Sequence, residues 1–126
     1  MKTVTAVDKI KVVETYIASY NKGDLEGIVS IFADDAAVED PVGTPLLRGK
    51  EAIRTFMQAG VSMGAQLRLE GSIRCAGDYA AFPFVVELEL DGKLTCIEVI
   101  DIFKFDEHGK VIEMRAFFGP DNMKAA

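Results

Sequence analysis

The chain has 126 residues, 49% hydrophobic and 27% charged, with a formal net charge of −6 at pH 7; the length predicts one domain, 1–126, with a real core, and the composition is that of an ordinary globular protein, with no sign of a disordered tail. Lysines and arginines are scattered singly among acids, so no basic stripe exists to meet a nucleic-acid backbone. No apolar run is long enough to span a bilayer, and the N-terminal MKTVTAVDKI breaks its hydrophobicity with charges, unlike a signal peptide.

The first third reads as helical. Ile10, Val13, Ile17 and Tyr20 recur at helical spacing with Tyr16 on the same side, and Thr5 and Asp8 are placed as a capping pair. Gly23 can close this helix and Asp24 can cap a second, whose stripe is Leu25, Ile28, Val29 and Phe32. Asp34 and Asp35 then break the pattern and read as a solvated pair ending the helix. In the extended piece that follows, Ala36, Val38 and Asp40 share a face, and Pro41 disfavours helix at Asp40. PVGTPLLRG reads as a loop, and a third helix begins near Lys50, burying Ile53, Phe56 and Met57.

The remainder alternates like an antiparallel sheet. Leu67, Leu69, Ile73 and Cys75 face one way and Gln66, Arg68, Glu70, Ser72 and Arg74 the other. A second strand runs from Ala80 to Leu90, with Pro83 marking an edge or a bulge. Asp91-Gly92 is a hairpin signal, and Asp106-Glu107-His108-Gly109 a further turn before a last strand through Phe118. Helices first and a strand meander after predict an α+β fold, with helices on one face of a curved sheet. Cys75 and Cys96 lie singly in strand patterns without CxxC spacing, as expected of reduced thiols in an intracellular, cytoplasmic protein.

Three polar residues fall where the pattern demands apolar ones: Tyr16, Asp40 and Asp101. Asp101 shares a strand face with Ile97, Val99, Phe103 and Phe105, so its carboxyl needs hydrogen bonds or must keep its proton. Each residue alone has a structural explanation: an interior tyrosine bonded to a carbonyl, a strand-end aspartate accepting turn amides, a carboxylate held by backbone N–H groups or an ion pair. The last is less natural mid-strand, where ladder bonds occupy the amides. Together, two carboxyls and a phenol in one interior form an acid/base set if their surroundings separate their pKa values. His108, the single histidine, lies in a turn and reads as solvated, so no metal site is expected. No phosphate loop, nucleophile elbow or Cys/His arrangement occurs. Met57, Met63, Met114, Phe82, Phe84, Phe117 and Phe118 could wall an apolar pocket, though such residues more often fill a core.

The runs TYIASYNKGDLEGIVSIFADDAAVEDPVG, FPFVVELELDGK and EVIDIFKFDEHGKVIEMRAFFG closely resemble the bacterial ketosteroid isomerase family of the NTF2-like superfamily, over about Val12 to Gly119. The resemblance implies a cone of three helices on a strongly bent, mixed, mainly antiparallel sheet around an apolar pocket, and a homodimer. Carried over by motif, Tyr16 corresponds to an oxyanion-hole tyrosine, Asp40 in VEDP to the catalytic base and Asp101 in VID to a protonated oxyanion-hole acid, as in the known ketosteroid isomerase site. Phe84, Val99, Met114 and Phe118 correspond to steroid contacts. The implied reaction needs no cofactor or metal. At two positions where some members carry extra tyrosines this chain has Phe32 and Met57, which cannot donate, so an extended tyrosine network is not expected. Other NTF2-like enzymes (polyketide cyclases, dehydratases, epoxide hydrolases) and a non-catalytic module for small apolar ligands are the competing readings.

Overall fold

The structure, a computed structural model, describes residues 4–126. The first three residues of the charged N-terminal stretch lie outside the described residues. Helix α1 (Ala6–Lys22) opens on a reciprocal capping box: Asp8 N–H donates to Thr5 Oγ1 at 3.1 Å and Thr5 N–H to Asp8 Oδ2 at 3.2 Å. Gly23 ends it in the left-handed region, φ 70°, where a side chain would be strained. Asp24 caps α2 (Leu25–Val29) by accepting from Gly27 N–H.

Here the expected pattern fails. Phe32 does not extend α2; it begins strand β1 (Phe32–Glu39). The β1–β7 register shifts between Phe32 and Ala37, and Asp34 and Asp35 are exposed within that irregularity rather than at a helix end. Ala36, Ala37 and Val38 are all buried in succession, Ala37 on the face opposite Val38. The expected loop after Pro41 contains a short strand, β2 (Leu47–Arg48), paired with β1. Helix α3 (Lys50–Ser62) buries Ile53 and Met57 and leaves Phe56 half-buried.

The strand expected over Leu67 to Cys75 is split into β3 (Gln66–Leu69) and β4 (Arg74–Ala76), both antiparallel to β5 (Tyr79–Leu90). Pro83 stands opposite the gap between them. Its carbonyl accepts from Glu70 N–H, and the N–H that proline lacks would point to the same side, where no ladder strand needs it. The Asn21 side chain bridges α1 to β3, donating to Leu67 O at 2.9 Å and accepting from Leu67 N–H at 2.7 Å.

Asp91 and Gly92, both at positive φ, turn β5 into β6 (Lys93–Phe105), and Asp106 collects the N–H groups of His108 and Lys110 in the turn to β7 (Val111–Phe117). The last strand therefore stops one residue before Phe118. Beyond it, unforeseen from the sequence, a 3-10 turn at Pro120–Asn122 leads to β8 (Met123–Ala125), antiparallel to β6.

The eight strands among the described residues make one mixed sheet in the order β2-β1-β7-β6-β5-β3, with β4 on β5 and β8 on β6. Only the β1–β7 pair is parallel among the described pairings. The helices and the sheet bury a common core centred on Val13, Ile28, Phe32, Val38, Ile53, Phe82, Phe103 and Val111, all without exposure. Phe103 is its aromatic hub, meeting Tyr16, Phe82, Phe32 and Phe105 edge to face.

Candidate active site

A cavity of about 300 Å³ opens between α1, α3 and the concave face of the sheet. It falls in the size range of small-molecule sites. Its walls are almost wholly apolar, among them Phe56, Met63, Leu67, Phe84, Leu88, Val99, Phe118 and Met123; the polar exceptions are Tyr16, Tyr20, Asp40 and Asp101. All three polar residues picked out from the sequence thus reach one space.

Tyr16 arrives from α1, whose helical period turns it inward beside Val13; it is 3% exposed. Asp40 follows the end of β1, where the alternation that buries Val38 carries its side chain to the same face. Asp101 comes from the middle of β6 and is 1% exposed. Neither of its carboxyl oxygens has a hydrogen-bond partner among the described residues.

These surroundings set the protonation states. Burial first, and then the charge of nearby Asp40, push the Asp101 carboxyl well above the usual carboxylate range. Asp40 is half-buried, and desolvation raises it to about 6. Burial, reinforced by Tyr20, Asp101 and Asp40, holds Tyr16 in its neutral phenol form. The cavity therefore offers one carboxyl that ionises near neutrality, one whose protonated form burial favours, and a phenol that keeps its proton.

Of the expected ligand contacts, Phe84, Val99 and Phe118 line the cavity. Met114 does not: it is 1% exposed in the core, across the β6–β7 ladder from Phe103. Within the wider set of apolar candidates, Met63 joins the wall, Phe82 and Met57 fill the core, and Phe117 is on the outer face, 44% exposed. His108 is exposed in its turn, and no cluster of three or more His, Cys, Asp or Glu side chains suits a metal among the described residues. No described helix is long and apolar enough to cross a membrane.

Sequence reading missed one polar wall residue. Tyr20 was legible as part of the α1 stripe, and its spacing of one helical turn from Tyr16 is the signal that places it in the same cavity.

A helical layer over a curved mixed sheet, enclosing an apolar cavity with acid/base groups at its wall, defines the NTF2-like class of small-molecule pocket proteins. The chain belongs to the SnoaL-like domain family, whose model matches residues 13–114. It is similar to the steroid Delta-isomerase of Nocardioides simplex, 36% identical over 112 residues, spanning 88% of this chain and 89% of that protein. Among solved structures, SalBIII, an epoxide hydrolase/cyclase-like enzyme with a role in pyran ring formation in the polyether salinomycin, has the same fold, with a TM-score of 0.93 at 24% identity over 98% of this chain and 100% of that one.

Proposed function

We propose that this protein is a steroid delta-isomerase, moving the double bond of 3-oxo-Δ5 steroids into conjugation to give 3-oxo-Δ4 steroids. The observation that carries the reading is Asp101: a carboxyl buried mid-strand with both oxygens unpartnered, in one cavity with a neutral phenol and an ionisable carboxylate. A structural aspartate would have partners. A hydrogen-bond donor reserved for a ligand oxygen would not.

The substrate carbonyl oxygen accepts from Tyr16 and protonated Asp101, with its C4–H toward Asp40. Asp40 takes the C4 proton; the electrons of that bond form the C3–C4 double bond of a dienolate, and charge collects on the oxygen. Two donors already in place in a dry cavity stabilise that charge without solvent reorganisation, a contribution of about 2.7–4 kcal/mol of barrier per donor. Protonated Asp40 then delivers its proton to C6, leaving the double bond between C4 and C5. One carboxylate moves one proton between two carbons, so the reaction needs no cofactor or metal. Phe84, Val99 and Phe118 supply apolar contact for the steroid rings.

Epoxide hydrolysis would want an arginine or asparagine beside the carboxylates, and the cavity walls contain neither among the described residues. The homodimer implied by the resemblance belongs to the same proposal. Ile100 and Phe117, partners across the β6–β7 ladder on the outer face and 48% and 44% exposed, give a second copy an apolar surface, and sedimentation velocity reads the state directly. The activity is tested by following enone ultraviolet absorbance with a Δ5-3-ketosteroid; absence of turnover with any such steroid would overturn the assignment.

A further inference from the structure

The proposed proton transfer uses three of the four polar residues that line the cavity and leaves Tyr20 without a task. Tyr20 sits one turn beyond Tyr16 on α1, 7% exposed, with the two rings edge to face at 5.2 Å. Its hydroxyl donates to Met57 Sδ on α3 at 3.0 Å, and both phenols line the cavity. Gly60 makes the space: a Cβ there would stand 3.1 Å from the Tyr20 hydroxyl and 3.2 Å from its Cε1. A buried hydroxyl is costly unless bonded, and a thioether is a weak acceptor. Packing alone would be served by the ring of a phenylalanine.

The chemistry of Tyr16 supplies a task. A phenol has one proton, and when Tyr16 gives it to a ligand oxygen its own oxygen is free to accept one from the neighbouring Tyr20. A hydroxyl proton rotates about its C–O bond to suit its neighbours, and a donor behind a donor strengthens the forward bond. We propose that Tyr20 is a positioning residue of the oxyanion site, whose hydroxyl turns from Met57 Sδ to the Tyr16 oxygen as Tyr16 donates to the substrate carbonyl. Resting on the isomerase reading, this adds an inner partner for Tyr16 drawn from the same helix. Its effect grows with charge on the ligand oxygen, so it acts on turnover more than on binding.

Tyr20→Phe keeps the ring and removes the hydroxyl. Against a Δ5-3-ketosteroid it is expected to lower kcat about five- to tenfold while KM stays within about twofold, the scale of one neutral hydrogen bond. A second readout needs no turnover: 2-naphthol bound in the cavity, whose absorbance separates neutral and ionised forms, is expected to be less ionised in Tyr20→Phe than in the parent protein. Met57→Leu removes the competing acceptor at similar volume and is expected to raise the ionised fraction only when the Tyr20 hydroxyl is present.

Unchanged kcat and unchanged naphthol ionisation in Tyr20→Phe, in a protein that turns over steroid, overturn the positioning role and leave the isomerase reading intact. Lower activity with a lower Tm but unchanged ionisation overturns it in favour of packing, as does an equal Met57→Leu effect in both backgrounds. If the parent protein shows no turnover, the isomerase reading fails by itself, and equal naphthol ionisation with and without the Tyr20 hydroxyl still overturns the role of Tyr20.

Discussion

Asp101 stands directly opposite Phe82 in the β5–β6 ladder, so its carboxyl and a fully buried aromatic ring project from the concave face side by side. On its other flank the ladder partner is Ala116. A ring and a methyl group offer no hydrogen bond, and the backbone amides here are committed to the sheet. The location therefore favours the protonated form of Asp101.

Retaining that proton has a thermodynamic cost with a definite sign. In the unfolded chain Asp101 titrates near its ordinary value, whereas in the fold its pKa is raised. Its contribution favours folding below the unfolded pKa and is lost as pH rises through the folded one. Asp101→Asn removes this dependence with little change in shape. The variant is expected to be more stable than the parent near neutrality, with the advantage shrinking toward zero near pH 4. Denaturant melts at several pH values check this, and a less stable variant at neutral pH would indicate an ionised, paired aspartate. Activity should fall but persist, because an amide donates more weakly than an acid.

Asp40 must be ionised to accept a proton. With its pKa raised to about 6 by burial, kcat/KM is expected to rise tenfold per unit below that pH and flatten above it. The same shift makes Asp40 favour folding at acid pH, an effect lost between the unfolded pKa and about 6. A kcat/KM profile flat through this range would exclude Asp40 as the base.

The fold and most of the site were legible because periodicity survives wherever a strand or helix is regular. Asp101 stood out by period two in a thirteen-residue strand, and Tyr16 by helical spacing. Legibility ended where local pattern and tertiary pairing disagree. The bulge in β1 scrambled alternation around Asp34 and Asp35, so helix and strand exchanged Phe32. Met114 has the inward parity of a wall residue, but Phe103 and the rest of the core enclose it, a distinction of depth that alternation cannot encode. Strand β8 is exposed along its length and pairs at only three positions, too short to announce itself. Tyr20 looked like stripe because a tyrosine counts as apolar in a helical pattern.

Asp40→Asn should separate chemistry from binding. The amide keeps the shape of the wall and cannot take a proton, so turnover is expected to fall by about 10²–10⁴-fold or more. Affinity for the conjugated product is expected to stay within a few fold, since the contacts come from the apolar walls and the donors Tyr16 and Asp101. Product titration by difference absorbance beside initial rates makes the comparison; turnover at the parent rate would remove Asp40 from the reaction.

Phe103 ties the stability of the core to the geometry of the site. It is fully buried, and its ring meets that of Tyr16 at 5.3 Å and that of Phe82 at 5.1 Å, both edge to face. Phe103→Ala would empty the space behind the phenol, and a buried aromatic truncated in this way costs about 3–5 kcal/mol. That is a large share of the stability of a domain this size, so a marked drop in Tm is expected. Phe103→Leu leaves a smaller void and is expected to fold. Its more informative effect falls on Tyr16, which loses an edge-to-face partner and gains room to move. In the leucine variant kcat is therefore expected to fall more than affinity for the product, because a wandering donor still fills the wall but no longer meets the oxygen on which charge develops. Equal losses in kcat and affinity would instead mean that Phe103 acts only by shaping the cavity.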